Sequence, residues 1–326
     1  MTISRLPLAA LAWLGRQGTT ALAVSIFLGI AVPPLAAYVK PHLGETVFVL
    51  LVFSYLRTNP AELRQAVRAP GLAIVGALWA MIAVPLLVGG ILVLVGLPKL
   101  APGLYTIMIL HIAIAPIVSS AAFAALMGLD VAFTMVAVIV CNVLSPVTTV
   151  AVSTLFLGTS LISPLDLGIK LLVFLLVSGL VAMVIRRIAG QRWIEEQKES
   201  IDGLNVIAVF IFAIAAMEGV PRHFLADPVA AFGLLGLIVM MAVVLIGLSA
   251  LVFVRAGLGV GLIIGLLSAF RNLGTIMAAI GTTLPDQAWF YFALAQFPIY
   301  IFPALLKPLA RRLPERTPEP KPSQKS

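Results

Sequence analysis

The sequence predicts an all-α membrane protein of about ten transmembrane helices, and three observations carry that expectation. Of 326 residues, 61% are hydrophobic and only 10% are charged, with a mean hydropathy of +1.14. Soluble domains carry about 25% charged residues, so this chain cannot cover a water-facing surface and must turn most of its exterior to lipid. The apolar residues fall in long runs of about 20 residues, enough to cross a bilayer, separated by short polar connections. All basic residues but one lie in those connections, at the ends of the runs, or in the C-terminal tail.

The elements follow in order. Met1 to Gly15 combines Arg5 with an apolar stretch and could pass for a signal peptide. No clean cleavage site follows and Arg16 stands where one would be, so it reads as an interfacial helix. Spans are expected at 18–38, 43–57, 71–96, 102–127, 131–157, 167–186, 203–220, 229–254, 257–281 and 287–306. The connections 57–70 and 186–202 mix both charge signs and read as short surface helices. From Lys307 the chain is rich in Pro, Lys and Arg, which predicts a disordered basic tail over 307–326. The result is one transmembrane domain over 1–306, with halves 18–157 and 167–306. Five spans per half make the halves inverted repeats of one another.

With a cytoplasmic N-terminus, sixteen basic residues fall on the inner side, among them Arg57, Arg186, Arg187, Lys198 and Arg255. Only Lys40, Lys99, Lys170 and Arg222 fall outside, a bias that places both termini in the cytoplasm of a multi-pass inner-membrane protein. The same scatter argues against nucleic acid as the partner of the net charge of +8. Cys141 is the sole cysteine, so neither an intrachain disulfide nor a thiolate metal cluster can form. His42, His111 and His223 are too far apart for a zinc motif, and no cofactor or metal is expected. Paired loop carboxylates and a Ser/His/Asp arrangement are also missing, which argues against an enzyme. No filter motif suggests a channel.

Two spans are interrupted. The fourth carries Ala115-Pro116 at its middle, followed by Ser119-Ser120; proline removes a backbone donor and kinks or breaks the helix, and the serines can satisfy the freed groups. The ninth carries the remaining basic residue, Arg271, beside Asn272, with Ser268 and Thr275 nearby. An arginine at mid-bilayer costs about 2.5–3.5 kcal/mol on insertion scales and needs a partner or a watery cavity. It is either a binding group for an anion or half of a structural ion pair, with Glu218 as the candidate partner. His111 is either a proton carrier or a hydrogen bonder between helices. Asn142, Ser145, Asn205 and Gln296 either line a path or bridge helices.

These residues resemble the bile acid:sodium symporter family. The resemblance lies in Ala115-Pro116, Ser119-Ser120, Asp130, Leu144-Ser145-Pro146 and Arg271-Asn272-Leu273-Gly274, with Pro85 and Pro70 fitting the layout. It implies two inverted five-helix repeats, with helices four and nine unwound and crossing, and substrate between a core and a panel domain. It also implies a departure. The family's sodium ligands fall on Ser120 and Ala121, on Thr134 and Val138, and on Leu267 and Arg271; of the ninth-helix set only Asn272 survives. One residue fewer separates Pro116 from Asp130. The arsenite exporters of the same superfamily match less well, since Ala115 stands where they carry cysteine.

The expectation is therefore a secondary carrier of a small organic anion by alternating access, with Arg271 in place of a bound cation. Arg271, Asn272, Ser268, Thr275, Ser119, Ser120 and Pro116 would surround the substrate. His111, Thr134, Asn142 and Glu218 are the candidates for coupling to a proton or sodium. A sodium-dependent symporter of bile-acid-type or other carboxylates is the alternative.

Overall fold

The computed structural model describes residues 6–16, 18–57, 71–159, 163–281 and 284–312. The chain is helical throughout these residues, with one isolated β-bridge. By length and composition, seven helices can cross a membrane: 33–57, 71–94, 131–157, 164–189, 198–226, 228–252 and 286–310. Two shorter apolar helices, Pro102–Ala113 and Leu258–Ala269, belong to the interrupted segments. Large apolar side chains such as Leu94, Val143, Val147 and Leu180 are exposed along the helices, as a lipid-facing exterior requires.

The N-terminal part comprises α1 (Leu6–Arg16), α2 (Gly18–Ala31), α3 (Pro33–Val39), a 3₁₀ turn (Lys40–His42) and α4 (Leu43–Arg57). The expected break near residue 40 lies earlier. Pro33 and Pro34 cannot continue α2 but are well placed in the first turn of a new helix. Lys40 and Pro41 therefore sit within the continuous run 33–57. The expected interfacial helix is α1, and it lies against a neighbour: it packs along α13 (Lys198–Ala216), where Gly203 admits the Leu11 backbone and Ser200 Oγ donates to the Leu8 carbonyl at 3.3 Å. The loop helix expected at 57–70 falls, from residue 58 onward, outside the described residues.

Next come α5 (Gly71–Leu78), a π-helical turn (Trp79–Ala83), α6 (Val84–Leu94), α7 (Leu97–Leu100), α8 (Pro102–Ala113), α9 (Ser120–Met127) and α10 (Val131–Leu157). Asp130 caps α10, accepting from the Phe133 amide at 2.9 Å, and Gly128 ends α9 in the left-handed region at φ 75°. The second part comprises α11 (Pro164–Ala189), α12 (Gln191–Glu196), α13, α14 (Val220–Ala226), α15 (Pro228–Val252), α16 (Leu258–Ala269), α17 (Leu273–Ile280) and α18 (Asp286–Ala310). The last helix runs to Ala310, past the expected end at 306; residues 313–326 of the expected tail lie outside the described residues. Surface helix α12 stands where the sequence predicts one.

The helices form two layers. Helices α1, α2, α4, α11 and α13 pack on one another, and Arg186 Nη2 caps the end of α4 by donating to the Tyr55 and Leu56 carbonyls at 2.9 Å each. Helices α5–α10, α15, α16 and α18 form the other layer, and α17 bridges the two by packing on α4 and α11. Polar side chains inside it mostly bond to the carbonyl one turn back, as Asn142 does to Val138 and Gln296 to Phe292. Helices α15 and α16 meet through glycine: a Cβ on Gly265 would lie 2.8 Å from Ile246 Cα, and one on Gly261 2.8 Å from Ala250 Cα. Gly265→Leu is expected to destabilise the purified protein by at least the ~1–3 kcal/mol typical of overpacking. Gly236→Leu, with nothing within 4 Å, should leave the Tm unchanged; equal Tm values for the two variants would contradict the close contact.

Candidate functional site

Two helices break where the sequence predicts interruption. α8 ends at Ala113 and α9 starts at Ser120, and α16 ends at Ala269 and α17 starts at Leu273. The two breaks touch. Pro116 and Arg271 form an antiparallel bridge, with the Asn272 amide donating to the Ala115 carbonyl at 2.8 Å and the Ile117 amide to the Phe270 carbonyl at 2.9 Å. In this pairing the bonds belong to the flanking residues, so the missing N–H of Pro116 costs nothing.

A broken helix leaves carbonyls unpaired, which is costly at membrane depth. Here several find donors. At the end of α8, Thr149 Oγ1 donates to the Ala113 carbonyl at 3.0 Å and Arg271 Nη1 to that of Ile114 at 3.0 Å. At the end of α16, Arg271 Nε donates to the Ser268 carbonyl at 2.9 Å, and His111 bonds to the Ala269 backbone. Arg271 Nη2 reaches the Ala80 carbonyl. That carbonyl is free for a local reason. In the π-helical turn the Val84 amide bonds to Trp79, five residues back, so Ala80 would next be served by residue 85. Residue 85 is proline and has no N–H to give.

Arg271 therefore faces backbone carbonyls and not a cavity. It is 1% exposed, it also contacts Met81 Sδ at 3.4 Å, and it borders neither of the cavities described below. Nor does it pair with Glu218. That carboxylate binds Lys40 Nζ at 2.7 Å, and Lys40 also lies 4.8 Å from the centre of the Trp289 ring. Among the described residues no carboxylate forms an ion pair with Arg271.

The other candidates divide. Ser268 lies behind the crossing, donating to Ile264 at 2.8 Å and accepting from Ser249 at 3.3 Å. Ser120 donates to the Ile117 carbonyl at 2.7 Å, and Thr275 is buried in the first turn of α17, its hydroxyl without a partner among the described residues. His111 is buried, with Nδ1 2.7 Å from the Tyr291 hydroxyl; with the Ala269 backbone also engaged, it holds helices rather than lining a path. Thr134 donates to the Asp130 carbonyl at 2.6 Å and is likewise buried.

Ser119, Asn142 and Asn272 do line cavities. Two adjoining hollows, of about 410 Å³ and 300 Å³, lie between the layers and share Ser54, Arg57, Val118, Ser119 and Ala122 as a common wall. The larger runs along α10 and α11, with Asn142 on its wall and Lys198 at its edge. The smaller reaches Asn272, Asn205 and Tyr300, with Asp202 at its edge. Arg57 borders both and is ion-paired with Asp202 at 2.8 Å. The walls are apolar with a few convergent polar groups, which is the make-up of small-molecule sites. In the sequence Arg57 and Lys198 are only topology markers, because nothing in one dimension tells a charge at a cavity mouth from any other charge beside a span. Ser54, a polar residue in an apolar helix, was the available signal.

The fold is that of an all-α multi-pass membrane protein whose two interrupted helices meet beside an internal cavity. No protein-family model matches the chain, and no curated protein matches it in sequence. A cysteine at Ser119, on the shared wall, is expected to react with a water-soluble maleimide in the folded protein. Native Cys141, fully buried, is expected to stay unlabelled. A protected Ser119→Cys would mean that the hollows are not open to water.

Proposed function

We propose that the chain is a secondary carrier of a small organic anion, working by alternating access, with the substrate in the hollow between the two layers. The observation that carries this reading is the charge and shape of that hollow. It is mostly apolar, large enough for a small molecule, bordered by Arg57 and Lys198, and floored by the crossing at Ser119 and Asn272. The N-terminal turn of α9 opens at Ser119 and adds partial positive charge beside it. A carboxylate would take Arg57 through charge-assisted hydrogen bonds in competition with Asp202, and its apolar body would lie along α10 and α11.

The carrier is read as ten spans in two inverted halves, related to the bile acid:sodium symporter family. Support comes from the paired lengths of the interrupted segments: α8 and α16 have 12 residues each, α9 and α17 have 8 each. The excess of basic residues on one side supports a cell inner membrane location with both termini in the cytoplasm. The hollow then opens to the cytoplasm, and the Lys40–Glu218 pair with Trp289 lies at the outer side. Transport by uniport, exchange or proton coupling fits better than sodium symport, because the carbonyls that could hold a cation at the crossing already serve Arg271.

Binding is tested by thermal shift of the purified protein against a panel of carboxylates, with and without sodium. At least one carboxylate is expected to raise the Tm without sodium. Arg57→Gln is expected to weaken its binding about tenfold, the loss of one charge-assisted contact, and Lys40→Gln to leave it unchanged. A panel without any stabilising anion, or equal affinity in Arg57→Gln, would count against the anion site.

A further inference from the structure

The surroundings of Arg271 have the form of a cation site. Three backbone carbonyls, those of Ala80, Ile114 and Ser268, converge on the guanidinium from three separate segments, and Met81 Sδ supplies a fourth, softer contact. Each carbonyl is available for its own reason: a π-helical turn with proline five residues on for Ala80, and a helix end for Ile114 and for Ser268. The ends of α8 and α16 also carry the negative poles of their helices. The charge is neutralised by dipoles alone, since among the described residues no carboxylate pairs with it.

We propose that this cradle is a guanidinium-binding site whose occupant is tethered to the chain as Arg271, and that cutting the tether leaves a site for a free guanidinium ion. The cradle exists because the backbone of three segments presents oxygens, so it persists when the side chain is removed but lacks its cation. A guanidinium ion matches the empty space in shape, charge and planar donors. A spherical quaternary ammonium lacks donors, and urea lacks the charge. The permanent occupant also means that the crossing needs no dissociable cation to hold together. This inference stands on the cradle alone and does not depend on what the protein carries.

The test is the thermal stability of purified Arg271→Ala. Its Tm is expected to fall by several degrees and to be restored, saturably, by low-millimolar guanidinium chloride, which should leave the wild-type Tm unchanged. Sodium chloride at matched ionic strength, tetramethylammonium and urea should not restore it. If guanidinium acts no better than these controls, the proposal is wrong. If Arg271→Ala cannot be purified, Arg271→Lys and Arg271→Met decide. Lysine retains charge and donors and should give the higher Tm, whereas an apolar side chain leaves three carbonyls unserved. A methionine variant as stable as the lysine variant, or more so, would overturn the cradle.

Discussion

Breaking two helices inside a membrane exposes backbone carbonyls where no water can serve them, and the fold depends on how that is resolved. The solution here is one buried arginine. Arg271 ties the end of α8, the end of α16 and the opened turn before α6 into a single knot. Thr149, His111 and the two flanking bonds of the Pro116–Arg271 bridge complete it. An unserved buried carbonyl costs roughly 1–3 kcal/mol, so three on one side chain make its desolvation tolerable. The arginine is thus a structural cation, enclosed by the layer that contains the crossing.

That knot shapes the side facing the cavity. With its carbonyls turned inward to Arg271, the crossing presents the start of α9, Ser119 and Asn272 to the hollow. The opposite wall comes from the layer holding α4, α11 and α13, which contributes Ser54, Arg57 and Lys198. In the proposed carrier, charge recognition and crossing stability fall to different arginines. Arg57, half-buried and paired with a single carboxylate, can exchange partners; Arg271, with four contacts and buried, cannot.

The sequence was most legible where local chemistry decides alone. The apolar run expected at 131–157 is met by α10, and the extent of the interrupted fourth segment, 102–127, is met by α8 and α9. The Pro33-Pro34 pair held enough information to place the break before α3, but the polar Lys40-Pro41-His42 stretch looked more like a loop. Arg271 was recognisable as exceptional, yet its direction was not. That depends on a π-helical turn whose opened carbonyl arises only when Pro85 falls at the right offset, and on two helix ends brought together across more than 150 residues of chain. Glu218 likewise found Lys40, because tertiary proximity and not span depth chose its partner.

The most direct test of the carrier reading is counterflow in reconstituted proteoliposomes. Vesicles loaded with excess unlabelled carboxylate, of the kind that stabilises the purified protein, would be diluted into a trace of the labelled compound without sodium. A carrier that alternates access predicts transient accumulation of label above its external concentration, followed by decay as the unlabelled gradient runs down. Monotonic equilibration without overshoot, or uptake no faster than in protein-free vesicles, would contradict it.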